Sequence, residues 1–238
     1  AQLLKSSLEG IEEFGKNLQG GELRVSFPGT ELGRQLAQVA RVIKARALIG
    51  AERDGFFCQL GGFDSHGDFF NTINRKFTMI NDALEAFATE MKFPDESGQS
   101  AWGSITIIQA SEFGRTMVSN GRGTDHGWGG MHWLAGGQVN GGRMFGRFPE
   151  SLLPNSDLML SRGRIVPTTS WEALWYGVAQ WMGVDEEHME GVLPNKHNFA
   201  PGQLFTDDDL YAPPSPPPAP AAPPPPLPPA VPMPPALP

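Results

Sequence analysis

Residues 55–69, GFFCQLGGFDSHGDF, set a short apolar run directly before a glycine-rich loop carrying Asp64 and His66. The run is too brief for a helix and is bounded by charge before it and glycines after it, so 55–60 reads as a buried strand. Residues 104–110, SITIIQA, repeat the arrangement: a β-branched apolar run leads into SEFGRT, which carries Glu112 and Arg115. Between the two runs, Ile73, Phe77, Ile80, Leu84, Phe87 and Met91 recur at alternating steps of four and three. That spacing predicts a long amphipathic helix packed on a sheet. Strand, helix and strand in this order predict a right-handed crossover between parallel strands, with both loops opening on one edge. In an open α/β sheet, side chains converge beyond the carboxyl ends of the strands. Asp64, His66 and Glu112 are therefore expected on the same side.

Working outward, Thr30 is placed to cap a helix whose apolar positions Leu32, Leu36, Val39, Ala40 and Ile43 follow helical spacing, with Gly50 as its end. From 121 to 146 glycines are too dense for regular helix, and short strands are expected at 133–135 and 144–145. Ser170 caps a second predicted helix with Leu174, Trp175, Val178, Trp181 and Met182 as its buried stripe, ending at Gly183. Trp171, Trp175 and Trp181 read as core residues, and Trp128, between glycines, as a pocket wall.

The 238 residues suit one domain over 28–211, after a weakly patterned peripheral segment at 1–27 and before a tail at 212–238. Residues 213–238 contain 16 prolines, so polyproline II is the tail's natural conformation, suited to a matrix partner or an aromatic-grooved module. A net charge of −8 with scattered basic residues argues against nucleic acid as a partner. The single cysteine, Cys58, excludes an internal disulfide and reads as a buried thiol. No stretch approaches the roughly 20 apolar residues of a membrane span. The chain opens on Ala1 with no charged-then-apolar leader, and a processed or partial chain is the expectation.

Five residues are candidate metal ligands: Asp64, His66, Glu112, Asp125 and His126. Carboxylate with imidazole suits Zn²⁺, Mn²⁺ or Fe, with Zn²⁺ or Mn²⁺ the expectation here, whereas an all-oxygen set favours Mg²⁺ or Ca²⁺. Asp64 and His66 stand at i and i+2, which point the same way in an extended loop. Asp125 and His126 are adjacent, point apart, and can each serve one ion of a pair. The alternative for each is an ordinary loop-stabilising Asp beside an exposed His. Glu112 is either a ligand or the partner of Arg115 in a structural ion pair. Arg115 is also a candidate for gripping an anionic substrate oxygen, and His132 for a further ligand or acid/base group. His188 and His197 read as exposed.

At 27–36 (FPGTELGRQL), 61–66 (GGFDSH), 110–130 (ASEFGRTMVSNGRGTDHGWGG), 141–149 (GGRMFGRFP), 163–174 (GRIVPTTSWEAL) and 193–199 (LPNKHNF) the sequence resembles the exported bacterial proteins grouped as domain of unknown function 1501, which are related to sulfatases of the alkaline-phosphatase-like superfamily. The resemblance implies an α/β three-layer sandwich with a mostly parallel sheet, incomplete at its N-terminus. It also implies a metal centre at the strand ends, with Asp64, His66, Asp125 and His126 as matching ligand types. Glu112 stands where relatives place an Asp before His-Gly, and Phe113 replaces that His. The expectation is an exported metal-dependent hydrolase of small phosphate or sulfate esters, or a fragment of one, using one or two divalent ions. Arg115 and His132 would assist catalysis. The alternative is an exported, non-catalytic, matrix-associated protein anchored by its Pro-rich tail.

Overall fold

The computed structural model describes residues 22–50, 52–95, 97–154 and 156–211. The expected Pro-rich tail, and the peripheral segment as far as residue 21, lie outside them. Thr30 caps α1 (Glu31–Lys44) by accepting the Gly33 N–H at 3.1 Å, as its place before an amphipathic run predicts. A one-turn helix, α2 (Arg46–Ile49), follows and closes on Gly50 in the left-handed region, φ 67°. The long helix α3 (Phe69–Lys92) starts after Asp68, itself left-handed at φ 47°, and ends at Phe93, where the backbone turns extended.

Leu32, Leu36 and Ala40 of α1 pack on Ala83, Phe87 and Met91 of α3 to form the first core. Ala40 and Ala83 are fully buried, and their small side chains let the two helices approach closely. Of the predicted α3 stripe only Phe87 and Met91 are buried; Ile73, Ile80 and Leu84 are half-buried and Phe77 is exposed. One charge enters this core. Glu90 is 2 % exposed and accepts the Arg24 and Val25 N–H groups at 2.7 and 2.8 Å and Lys44 Nζ at 2.6 Å. Burial pushes its carboxyl pKa up, but Lys44 and the two main-chain donors outweigh that and hold it below the ordinary value.

The expected mostly parallel sheet is not what this chain forms. The strands make three short antiparallel pairs. β1 (Thr106–Gln109) pairs with β4 (Trp133–Gly136), Ile108 lying opposite Leu134. β2 (Gly114–Ser119) pairs with β3 (Thr124–Gly127), and β5 (Met159–Leu160) with β6 (Arg164–Ile165). The three-layer, alkaline-phosphatase-like sandwich and its crossover are thereby corrected. Residues 55–60 form no strand, and the Gln35 carboxamide of α1 stands beside them instead. It donates to the Gln59 carbonyl at 2.9 Å and accepts the Gln59 N–H at 2.8 Å. Residues 133–135 are a strand as expected, whereas 144–145 are not.

Alternate residues of β1 feed separate cores. Ile107 packs with the α1–α3 cluster, and Ile108 with Leu174, Val178 and Leu210. The latter three come from α4 (Trp171–Trp181) and α6 (Asp207–Tyr211). Ser170 caps α4 by accepting the Ala173 N–H at 3.1 Å. Leu174 and Val178 are buried as predicted, but Trp171 and Trp175 keep more than a third of their surface in solvent. A third cluster joins Ala179 of α4 to Met189 of α5 (Glu186–Val192) and to Leu193. Among the described residues no helix is long and apolar enough to cross a membrane.

Candidate functional site

The loop 61–68 is laid against β3 by its main chain. The Ser65 carbonyl accepts the Thr124 N–H at 3.3 Å and Arg115 Nη2 at 3.1 Å. Gly123 makes this approach possible, because a Cβ there would lie 2.5 Å from the Ser65 carbonyl oxygen and 2.7 Å from the His66 carbonyl carbon. The β2–β3 hairpin supplies the other side of the site. Its turn begins at Asn120-Gly121, a strong hairpin signal, and Asn120 Oδ1 accepts the Arg122 and Gly123 N–H groups at 3.0 and 2.8 Å. The register shifts between Arg115 and Ser119, and buried Thr116 steadies the bulge by accepting the Asp125 N–H at 3.0 Å.

Arg115 and His126 stand opposite each other across the hairpin, so their side chains share a face. Both reach Asp64. Its Oδ1 accepts Arg115 Nη1–H at 2.5 Å and lies 2.9 Å from His126 Nε2 and 3.0 Å from His66 Nε2. One ligand atom from each of Asp64, His66 and His126 lies within 4.8 Å of the others. Two imidazole nitrogens and a carboxylate oxygen form a donor set suited to Zn²⁺ or Mn²⁺ with further positions open.

The remaining contacts of the two histidines leave their Nε2 atoms available. His66 directs Nδ1 to Asp125 Oδ1 at 3.4 Å, and His126 stacks on Phe113 with centroids 4.4 Å apart. A carboxylate on the far ring nitrogen fixes the tautomer and orientation of a ligating histidine. Asp125 therefore sits behind His66 rather than among the converging atoms. Its Oδ1 also accepts Asn120 Nδ2 at 3.0 Å, and its Oδ2 pairs with Arg162. The bond from Asn120, then the charges of Arg162 and His66, hold the Asp125 carboxyl below the ordinary value. For Asp64 the lowering comes first from Arg115, then from His126 and His66. Solvent reaches both carboxylates, so these shifts describe ionisation and not large stability terms.

Arg115 spends its donors on the protein. Besides Asp64 and the Ser65 carbonyl, it donates Nε–H to Thr124 Oγ1 at 3.0 Å and Nη2–H to the Thr124 carbonyl. It is an organiser of the loop and strand, paired with Asp64 and not with Glu112. Glu112 is exposed beside Ser111 Oγ at 3.4 Å, away from the three converging atoms. His132 is half-buried against Trp171, centroids 4.5 Å apart, and burial lowers its pKa despite the nearby Gln109 carbonyl. It is likewise outside the converging group. Trp128 stands in the solvent.

Sequence reasoning missed Arg162, Asn120 and the stacking role of Phe113. Asn120-Gly121 carried a usable hairpin signal, whereas nothing in Ser161-Arg162-Gly163 sets its arginine apart from a solvated one. Residues 16–155 match the family model described as Protein of unknown function (DUF1501), a span that includes Asp64, His66, Arg115, Asp125 and His126. No curated protein and no solved structure matches the chain.

Proposed function

Because the chain belongs to the DUF1501 family, which carries no assigned activity, its function has to be read from the site, and we propose a metal-dependent hydrolase of phosphate or sulfate esters. Asp64, His66 and His126 hold one divalent ion, Zn²⁺ or Mn²⁺, in this reading. The observation that carries it is the convergence of two Nε2 atoms on a single carboxylate oxygen, at 2.9 and 3.0 Å. When bound, the ion would supply a Lewis acid for an anionic ester group. Arg115 keeps Asp64 ionised and aligned, and Asp125 holds the proton of His66 at Nδ1 so that Nε2 stays a donor of electrons. Phe113 sets the plane of the His126 ring.

Among the described residues none of the three neighbouring hydroxyls is hydrogen-bonded to Asp64, His66 or His126. Ser65 Oγ is buried without a hydrogen-bond partner among the described residues, Thr124 Oγ1 receives Arg115, and Ser111 Oγ is shared between the Phe113 carbonyl at 3.2 Å and Glu112 Oε2 at 3.4 Å, outside the converging group. The nucleophile in this proposal is therefore water. A second reading, an exported non-catalytic protein that keeps the ion for structure, draws support from the openness of the cluster. Half or more of the Asp64, His66 and His126 side-chain surface is exposed, and catalytic sites gain from excluding water.

Elemental mass spectrometry on purified protein tests the ion, comparing the parent with an Asp64→Ala/His126→Ala double variant. About one ion per chain, lost in the variant, is the expected result. Assays with p-nitrophenyl phosphate and p-nitrophenyl sulfate then separate the readings. Turnover lost in the variant supports the hydrolase, metal without turnover on either ester supports the non-catalytic reading, and a metal-free folded parent overturns both.

A further inference from the structure

Helix α4 buries Ala173, Leu174, Gly177, Val178 and Ala179, yet Trp171 and Trp175 keep more than a third of their surface in solvent. The two indoles stack with centroids 6.4 Å apart and planes 28° from parallel, and the His132 ring lies 4.5 Å from Trp171. The three rings make a continuous aromatic strip at the N-terminal end of the helix. Trp181, at the other end, is already engaged: it stacks on Tyr211 with centroids 5.0 Å apart and donates its indole N–H to Gln138 Oε1 at 3.3 Å. Among the described residues no such bond holds the N–H of Trp171 or Trp175. A surface that reads polyproline II needs ring faces for prolines and donors for the carbonyls that this helix cannot bond internally. The strip offers both.

The same chain carries a ligand of that chemistry. Residues 212–238 hold no charged side chain and are mostly proline, and 223–229 read PPPPLPP. The stacking of Tyr211 on Trp181 fixes where this segment leaves the domain, at the C-terminal end of α4. Trp171 lies about 15 Å from Trp181 along the helix axis, and passing half-way round a helix 10–12 Å across lengthens the surface path to roughly 24 Å. In polyproline II, residues 212–222 span about 34 Å. They therefore bring 223–229 to the strip with length to spare. A leash this short holds its end at roughly millimolar effective concentration, so a contact with a Kd of only about 0.1 mM would cover the strip some nine-tenths of the time.

We infer that residues 223–229 dock on the Trp175–Trp171–His132 strip of their own chain, which makes the Pro-rich tail a strap across α4 and not a free tether. The inference is independent of the hydrolase reading. Proline rings cover the exposed indole faces, and the Trp171 and Trp175 N–H groups donate to tail carbonyls. Leu227 adds apolar surface within the run. A proline segment loses little backbone freedom on docking, because its conformation is largely set beforehand.

Fluorine-19 NMR of the full chain grown with 5-fluorotryptophan tests this, with Trp171→Phe and Trp175→Phe assigning the two lines. Changing every proline of 223–229 to serine is expected to shift the Trp171 and Trp175 lines and to leave that of Trp102 in place. These changes lie outside the described domain, so the parent's circular dichroism is expected to be kept. A nitroxide on Ala222→Cys, in a Cys58→Ser background, is expected to bleach the same two lines while Trp102 keeps its intensity. Mixing fluorinated chains without nitroxide and nitroxide chains without fluorine is expected to return full intensity. Trp171 and Trp175 lines that ignore both the serine changes and the nitroxide would overturn the strap. Bleaching in the mixed sample would overturn it too, by showing that the strip takes the tail of a second copy.

Discussion

Glu90 shows how a single side chain can tie three segments. Its two oxygens serve Lys44 at the end of α1 and the main chain of Arg24 and Val25, from inside a helix whose other buried positions are apolar. Glu90→Gln keeps the shape but removes the charge and forces an N–H toward one of these donors, so a loss of about 2 kcal/mol in urea unfolding is expected. The pH dependence has a definite sign. A carboxylate with a depressed folded pKa contributes stability above its unfolded value, near 4.5, and loses it as pH falls through the lower folded value. The gap between parent and variant is thus expected to narrow below about pH 4, and a constant gap would contradict the assigned role. Residues of this kind are hard to read in advance. Asp64, His66 and His126 were legible because short polar loops between glycines advertise themselves. Arg115 was legible as important but not as the partner of Asp64, since that choice depends on a contact across 51 positions of chain.

The three longest helices followed from sequence, whereas the short α2, α5 and α6 did not. Thr30 and Ser170 cap where an apolar period begins, and Gly50 and Gly183 stop the chain with positive φ. Strand pairing did not follow, because periodicity says that a segment is extended and is silent on its neighbour and direction. Residues 111–116 read as a loop, but 114–116 open β2, whose partner lies just across an Asn-Gly turn. Residues 55–60 have a strand's composition and bond to a helix side chain instead. The hairpin's reach toward the ligand loop turns on Gly123. Gly123→Ala is expected to push the main chain of Ser65 and His66 off β3, lowering divalent-ion affinity at least tenfold while helical circular dichroism is retained. Unchanged affinity would show that the loop finds its position without this contact.

At the scale of the whole molecule, three apolar clusters share the work, and β1 separates two of them by sending neighbouring isoleucines to opposite sides. A parallel crossover was a reasonable expectation for apolar run, helix and apolar run. The chain satisfies the same hydrophobic pattern with an antiparallel partner that arrives later, from residues 133–136. An ion bound between the 61–68 loop and the β2–β3 hairpin would join two segments that contribute no side chain to any of the three clusters. Zn²⁺ or Mn²⁺ at 100 times its Kd is expected to stabilise the fold by about 2.7 kcal/mol, raising the Tm in calorimetry, with EDTA reversing the shift. A Tm indifferent to both ions would count against the site. The Gln35–Gln59 clamp extends this coupling into the helical layer. It fastens α1 to the main chain five residues before Asp64, so a sideways slip of that helix is a tug on the ligand loop. Repacking α1 against α3 would retune the grip on the ion from a distance, making core fit and ion affinity two readings of one mechanical setting.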